Sequence, residues 1–332
     1  MSRQKATGLA HVYGFDVGDE LPHGPSGDQL WQESMWLYWG EGCRRGGCVH
    51  IGQEVPKGVG NIWASAFTED YCYRYLAEDL PLDPQARVRG RHEAGGYRMW
   101  VENGRTYIEA AEGEMQLSFV MEDDLPYPSL LPLFPVSNDS ALRTWSSHYQ
   151  TPGRVRGTLR LRDRIYKIDA LGQRGHSWGP RNHVELRGHG SRWTTGSFGD
   201  LTYSMVTGIK LDGTSVRSGF VVDGGEVQYT RDIDVTVEVD IDGISYRSGC
   251  VRMTMPDGRV YDFRSSFSNA NMYGHHGIHL VVTGGDLRCG SRTGGYSAWE
   301  IKHRPIVPHE KVTVSIAALL DNGIAPVAGA GG

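Results

Sequence analysis

Apolar and polar residues alternate in short runs along most of the chain. The first clear run is Trp31–Gly40, where Trp, Met, Leu and Tyr interleave with Gln, Glu and Ser. Val49–Gly52, Asn61–Phe67, Tyr97–Val101, Thr106–Ala110 and Met115–Val120 repeat that character. After Gly153 it resumes through Val155–Leu161, Arg164–Asp169, Arg192–Phe198, Leu201–Thr207, Val216–Val222, Asp234–Ile241, Cys250–Met255, Val260–Phe263, Tyr296–Lys302 and Val312–Leu319. Runs rich in β-branched and aromatic residues with a period of two predict strands. Glu102-Asn103-Gly104-Arg105 predicts a tight hairpin, and Asp212-Gly213, Asp223-Gly224, Asp242-Gly243 and Asp257-Gly258 predict further turns. No long segment carries a helical period. The spacing predicts an all-β protein of sandwiches or barrels. The rhythm before residue 120 recurs after 153, so two tandem β-domains are expected, 1–150 and 151–322. Residues 323–332 are small and predict a disordered tail. Residues 121–147 are Pro-rich and apolar, which suits either a lid or a domain linker.

Composition narrows this picture. The chain of 332 residues holds 45 Gly, 16 Tyr and 9 Trp, as expected of a turn-rich β-protein with aromatic-lined pockets. Lys and Arg number 34 against 39 acids, for a net charge of -5, which argues against a nucleic-acid partner. No apolar run approaches the length of a membrane span, and no apolar leader follows Met1, so a cytoplasmic location is expected. The five cysteines, Cys43, Cys48, Cys72, Cys250 and Cys289, are then expected as free thiols. Cys43 and Cys48 lack the second pair that a zinc site needs.

Candidate chemistry concentrates in Gly172–Arg181, Gly-Gln-Arg-Gly-His-Ser-Trp-Gly-Pro-Arg. Its three glycines and its proline predict a shaped turn. His176 is the candidate proton carrier, because imidazole titrates near neutral pH. Arg174 and Arg181 flank it and can hold a carboxylate, a diphosphate or an enolate oxygen. Trp178 offers an apolar wall. Glu33 and Glu300 each neighbour tryptophan in the sequence. An apolar wall favours the protonated carboxyl, so either is a candidate acid; a salt bridge to a nearby arginine is the competing role. Trp31, Trp193 and Trp299 are candidate substrate-lining rings, with Tyr273 and His275 from the Tyr273–His279 cluster. On a strand His275 and His279 stand roughly 13 Å apart, too far for one ion. No metal and no cofactor are expected. Phosphate-binding and serine-hydrolase motifs are absent from the sequence.

Gln173-Arg174-Gly175-His176-Ser177-Trp178-Gly179 resembles the signature of a bacterial double-lipocalin-like family related to carotenoid 1,2-hydratase. The blocks His148–Gln150, Gly153–Gly157, Trp31–Ser34 and Gly294–Glu300 are similar in kind, so the likeness spans residues 12 to 305. It implies two tandem lipocalin-like β-barrel or sandwich domains around a hydrophobic pocket. It also implies acid–base hydration, dehydration, double-bond shift or cyclisation of an isoprenoid or polyketide-like small molecule by a monomer or homodimer. The family usually carries Asp where this chain has Gly175, and an acidic residue is thought to protonate the alkene in the carotenoid hydratases. Glu33 or Glu300 is therefore expected to supply the acid. A non-catalytic carrier of a hydrophobic metabolite is the alternative.

Overall fold

The computed structural model describes residues 15–125, 130–133, 147–181, 190–209, 215–239, 246–269, 271–275, 278–303 and 324–326. Nearly all of these are in strands, which form two curled, lipocalin-like sheets. The chain divides into two compact units. The first holds residues 1–39 and 47–182, and the second holds 40–46 and 183–332.

The strands of the first unit are β1 (Trp31–Gly40), β2 (Gly46–Glu54), β3 (Val59–Phe67), β4 (Cys72–Pro81), β5 (His92–Ala94), β6 (Tyr97–Glu102), β7 (Arg105–Glu112), β8 (Met115–Asp123), β9 (Leu131–Pro132), β10 (Ser147–Leu161) and β11 (Arg164–Pro180). Their order in the sheet is β4-β3-β2-β1-β11-β10-β8-β7-β6-β5, with β9 beside β10. A five-residue helix, α1 (Pro84–Val88), begins on Asp83, whose side chain accepts from the Gln85 N–H. The sheet's two ends approach each other: a side chain at Gly95, after β5, would sit 3.2 Å from Leu80 of β4. Met35, Leu37, Trp39, Ile51, Ile62, Phe119 and Leu159 fill the interior.

The second unit holds β12 (Gly190–Ser197), β13 (Leu201–Ile209), β14 (Ser215–Asp223), β15 (Glu226–Tyr229), β16 (Asp232–Val239), β17 (Tyr246–Thr254), β18 (Val260–Phe267), β19 (Asn271–His275), β20 (Ile278–Cys289), β21 (Arg292–His303) and β22 (Ile324–Pro326). Its order, β15-β14-β13-β12-β21-β20-β18-β17-β16-β22, repeats the plan of the first, and its core includes Tyr203, Met253, Phe263 and Trp299.

Four expectations change. The boundary falls at 182/183, not 150/151, because β10 pairs with β8 and β11 lies beside β1 in the first sheet. The linker role of 121–147 falls away with it, since Leu131–Pro132 pairs with Tyr149–Gln150 inside the first unit. Within the tail, Ile324–Pro326 pairs in parallel with Val237–Val239 instead of being disordered. Gly172–Pro180 is not a turn. It is the second half of β11, with Gly172–Trp178 in register with Ser147–Gly153. The hairpin at Asn103-Gly104 forms as expected, with φ of 52° and 71°. The Val312–Leu319, Asp212-Gly213 and Asp242-Gly243 readings lie outside the described residues.

A strand sends alternate side chains to opposite faces. Arg174, His176 and Trp178 therefore share the interior face, and Gln173, Gly175 and Ser177 share the other. Gly175 is fixed by contact, not by backbone angle. A Cβ there would lie 2.1 Å from Trp36 Cζ2, because the indole lies across the backbone. Gly175→Ala is expected to lower stability by about 1–3 kcal/mol through overpacking. Urea unfolding checks this. Shortening Trp36 to Leu in the same chain should recover part of the loss, so the two changes should be non-additive.

Candidate active site

Glu33 lies on the interior face of β1, ahead of Met35, Leu37 and Trp39, and is fully buried. Four donors surround its carboxylate. Oε1 accepts from the His23 backbone N–H, from His23 Nδ1 and from His176 Nε2, each at 2.9 Å. Oε2 accepts from Arg87 Nη2 at 2.7 Å. Burial pushes this carboxyl upward, but the hydrogen bonds from His176 and His23 outweigh it, and the net position is well below the usual carboxylate range. Glu33 is thus held as the anion, which corrects the expectation of a protonated acid beside an indole wall. The competing role, a salt bridge to an arginine, is present.

The partners come from separate elements. Arg87 projects from α1, donates to the His23 carbonyl at 2.6 Å and to Gln53, and lies 5.9 Å from the centre of the buried Trp31 ring. His23 comes from the loop Pro22-His23-Gly24-Pro25 and stacks on Trp178, with centroids 3.8 Å apart and planes at 12°. Its side chain is 21% exposed, whereas His176 and Glu33 are closed off. His176 also donates from Nδ1 to the Asp19 carbonyl at 2.9 Å. Both of its nitrogens are therefore engaged by protein oxygens, so proton exchange with a substrate has to run through a neighbour.

Arg174 does not hold a free anion site. Its guanidinium forks onto Glu20 at 2.7 and 2.8 Å and lies 3.3 Å from Asp123. Tyr149 donates to the same Glu20 at 2.5 Å. Burial raises Asp123 to about 6, against the pull of Arg174. Burial likewise acts against Glu20, but Arg174 brings its carboxyl below the ordinary value. This network clamps the 3-10 turn Val17–Glu20 onto the interior of the sheet.

Arg181 differs. It is buried on the other face, and its Nη2 donates to Ser34 Oγ, Ser177 Oγ and the Ser177 carbonyl at 3.1, 2.8 and 2.9 Å. Among the described residues no carboxylate pairs with it, and its Nε has no acceptor. Burial lowers it to about 9. Trp36, stacked on His148 at 6.3 Å, shares this face.

The remaining sequence candidates belong to the second unit. Glu300 is 2.7 Å from Lys302 Nζ, an ion pair with a lysine and not with the arginine named as the competing role. Trp299 is fully buried and donates to Ser265 Oγ, and Trp193 is buried on the opposite face of β12. Tyr273 and His275 lie in β19. Residues 276 and 277 lie outside the described residues.

Sequence reading missed His23, Arg87, His92, Glu20 and Asp123. His23 carried a signal, an imidazole in a Pro/Gly-shaped loop. Arg87 and His92 carried none, since only the closing of the sheet brings them to Glu33.

The chain matches the family described as Domain of unknown function (DUF7064) over residues 16–303. It belongs to the DUF7064 family. No curated protein matches this DUF7064 member in sequence. Solved structures resemble it in fold. A putative AttH from Nitrosomonas europaea has a TM-score of 0.63 at 10% identity, over 84% of this chain and 94% of that one. CghA with Sch210972 has a TM-score of 0.58 at 11% identity, over 86% and 94%. Kievitone hydratase from Nectria haematococca has a TM-score of 0.55 at 11% identity, over 86% and 94%. These likenesses agree with the tandem lipocalin-like fold. No helix among the described residues is long and apolar enough to cross a membrane.

Two predictions follow from the Glu33 cluster. His92 is fully buried against His176, with ring centroids 4.7 Å apart, and neither of its nitrogens has a partner among the described residues. Burial lowers it to about 3, with His176 adding to the effect. The unfolded chain takes up this proton near pH 6.5. The stability that neutral His92 contributes is therefore complete above that pH and is lost as pH falls toward 3. His92→Leu should flatten the fall in urea midpoint between pH 7 and pH 5; an unchanged slope would count against this assignment. The second concerns metal. His23 Nδ1, His176 Nε2 and a Glu33 oxygen all lie within 4.8 Å of one another, a grouping that could hold an ion. Arg87 already neutralises that carboxylate. Elemental analysis of purified protein is expected to find substoichiometric zinc and iron, with Tm unchanged by chelator.

Proposed function

We propose that this DUF7064 protein is a cofactor-free acid–base lyase or isomerase acting on a hydrophobic isoprenoid or polyketide-like small molecule. The reaction is hydration or dehydration, a double-bond shift, or cyclisation. The observation that carries this reading is the triple of ionised Glu33, buried His176 and half-open His23 stacked on Trp178. Glu33 and His176 form the buried proton-handling pair. His23 is its outlet: Nδ1 is fixed by Glu33 at 2.9 Å, Nε2 has only the longer 3.4 Å contact with Asp19 Oδ1, and the side chain is 21% exposed. In dehydration, protonated His23 would deliver a proton to the departing hydroxyl, which leaves as water. The same ring, now neutral, would take the proton from the neighbouring carbon, so the catalyst returns to its first state. The indole face of Trp178 would steady positive charge developing between the two transfers. The fold likeness to kievitone hydratase supports a hydratase-type reaction.

The test is incubation in D₂O with a panel of hydroxylated isoprenoids and polyketide-like alcohols, read by mass spectrometry. Deuterium incorporation or a shift of one water is expected. His23→Ala and Glu33→Gln should each lower the rate by about 100-fold or more if proton transfer limits turnover, while circular dichroism stays native. His176→Ala should do the same by releasing Glu33. Tight binding of a panel member that returns unchanged and unlabelled would replace the enzyme with a carrier.

A further inference from the structure

The second unit contains a buried cation that the first-unit chemistry does not use. Arg192 is the third residue of β12, the strand that holds the same place in its sheet as β1 holds in the first. Glu33 is likewise the third residue of β1. Arg192 is in register with Ile301 and Thr207, and Thr194, two residues on, is in register with Trp299 and Met205. Ile301, Trp299 and Met205 are core residues, so the guanidinium faces the interior of the second sheet. It is only 7% exposed. Its Nε has no acceptor, and among the described residues no carboxylate forms an ion pair with it. Burial lowers it, and the only residue opposing this is Tyr246, whose phenol is uncharged near neutral pH. Arg174 shows the contrast: a buried guanidinium in the first unit is met by two carboxylates. A buried cation without a partner is strongly disfavoured, and a guanidinium fork matches a carboxylate in two parallel hydrogen bonds. Gly190 and Ser191, just before it on β12, are half-exposed, so Arg192 is the first buried residue of the strand, two positions from its end.

We propose that Arg192 forms an anion-binding site of the second unit, taking the carboxylate of a small organic acid whose apolar part lies toward Ile301. Arg192 belongs to the second unit and the Glu33–His176 pair to the first, and the binding test below does not depend on the catalytic reading.

Calorimetric titration with sodium octanoate tests it, with octanol as the uncharged control. Octanoate is expected to bind and octanol to bind at least about tenfold more weakly, the loss of one charged contact. Arg192→Gln should weaken octanoate by the same factor, Arg192→Lys should retain part of the affinity, and Arg181→Gln should leave it unchanged. Arg192→Met should abolish octanoate binding and raise Tm, because it removes an uncompensated buried charge. Equal binding of octanoate and octanol, no binding by the unaltered chain, or full affinity in Arg192→Gln would overturn the proposal. So would an Arg192→Met chain that fails to fold, since that would reveal a structural partner for the guanidinium.

Discussion

A carboxylate buried in an apolar sheet interior must be matched by donors, and Glu33 meets that requirement with four. Everything near the candidate site is placed by this condition. The loop around His23 must fold back over β11. The short helix must present Arg87, and His176 must turn Nε2 inward. A second buried charge cluster, Arg174 with Glu20 and Asp123, fixes the 3-10 turn that supplies the Asp19 carbonyl to His176. The two clusters lie on one face of one strand, so the arginine and histidine of the motif act together as anchors for the residues that precede β1.

The motif also explains itself through its alternation. Arg174, His176 and Trp178 serve the interior, while Gly175 and Ser177 serve the opposite face, where Ser34, Trp36 and Arg181 gather. Gly175 lies under the Trp36 indole, and the ionised Glu33 with its two histidines lies on the other face of the same strands.

Much of the architecture was legible because strand patterning and Asn-Gly or Asp-Gly turns are local signals. Asn103-Gly104 illustrates this, since its positive φ values follow from residue type alone. The glycine-rich Gly172–Pro180 segment misled for a physical reason. Glycines there admit close neighbours, as Trp36 over Gly175 shows, and do not mark a chain reversal. His176 and Glu33 were legible as chemistry but not as a bonded pair, because nothing local joins positions so far apart. The ionisation of Glu33 was misjudged because its adjacent tryptophans in the sequence point to alternate faces. The donors that decide its charge come from residues 23, 87 and 176. His92 gave no sequence signal because its role depends only on where β5 lands.

The order of strands in the first sheet has a kinetic consequence. β1 lies between β2 and β11, so a central seam of the sheet joins residues more than a hundred positions apart, as the Ser34–Ser177 contact records. Such non-local pairing slows folding, since the intervening loop must close before the seam gains anything. During synthesis, β1 and its buried carboxylate emerge long before their partner strand. Until residue 180 is available, Glu33 has no reason to leave water. The grouping of residues 40–46 with the second unit extends this dependence, because that unit is incomplete without a segment made near the start of the chain. The protein therefore has two cores but not two independently severable pieces, and a cut between 182 and 183 would leave the second core without its earliest-made segment.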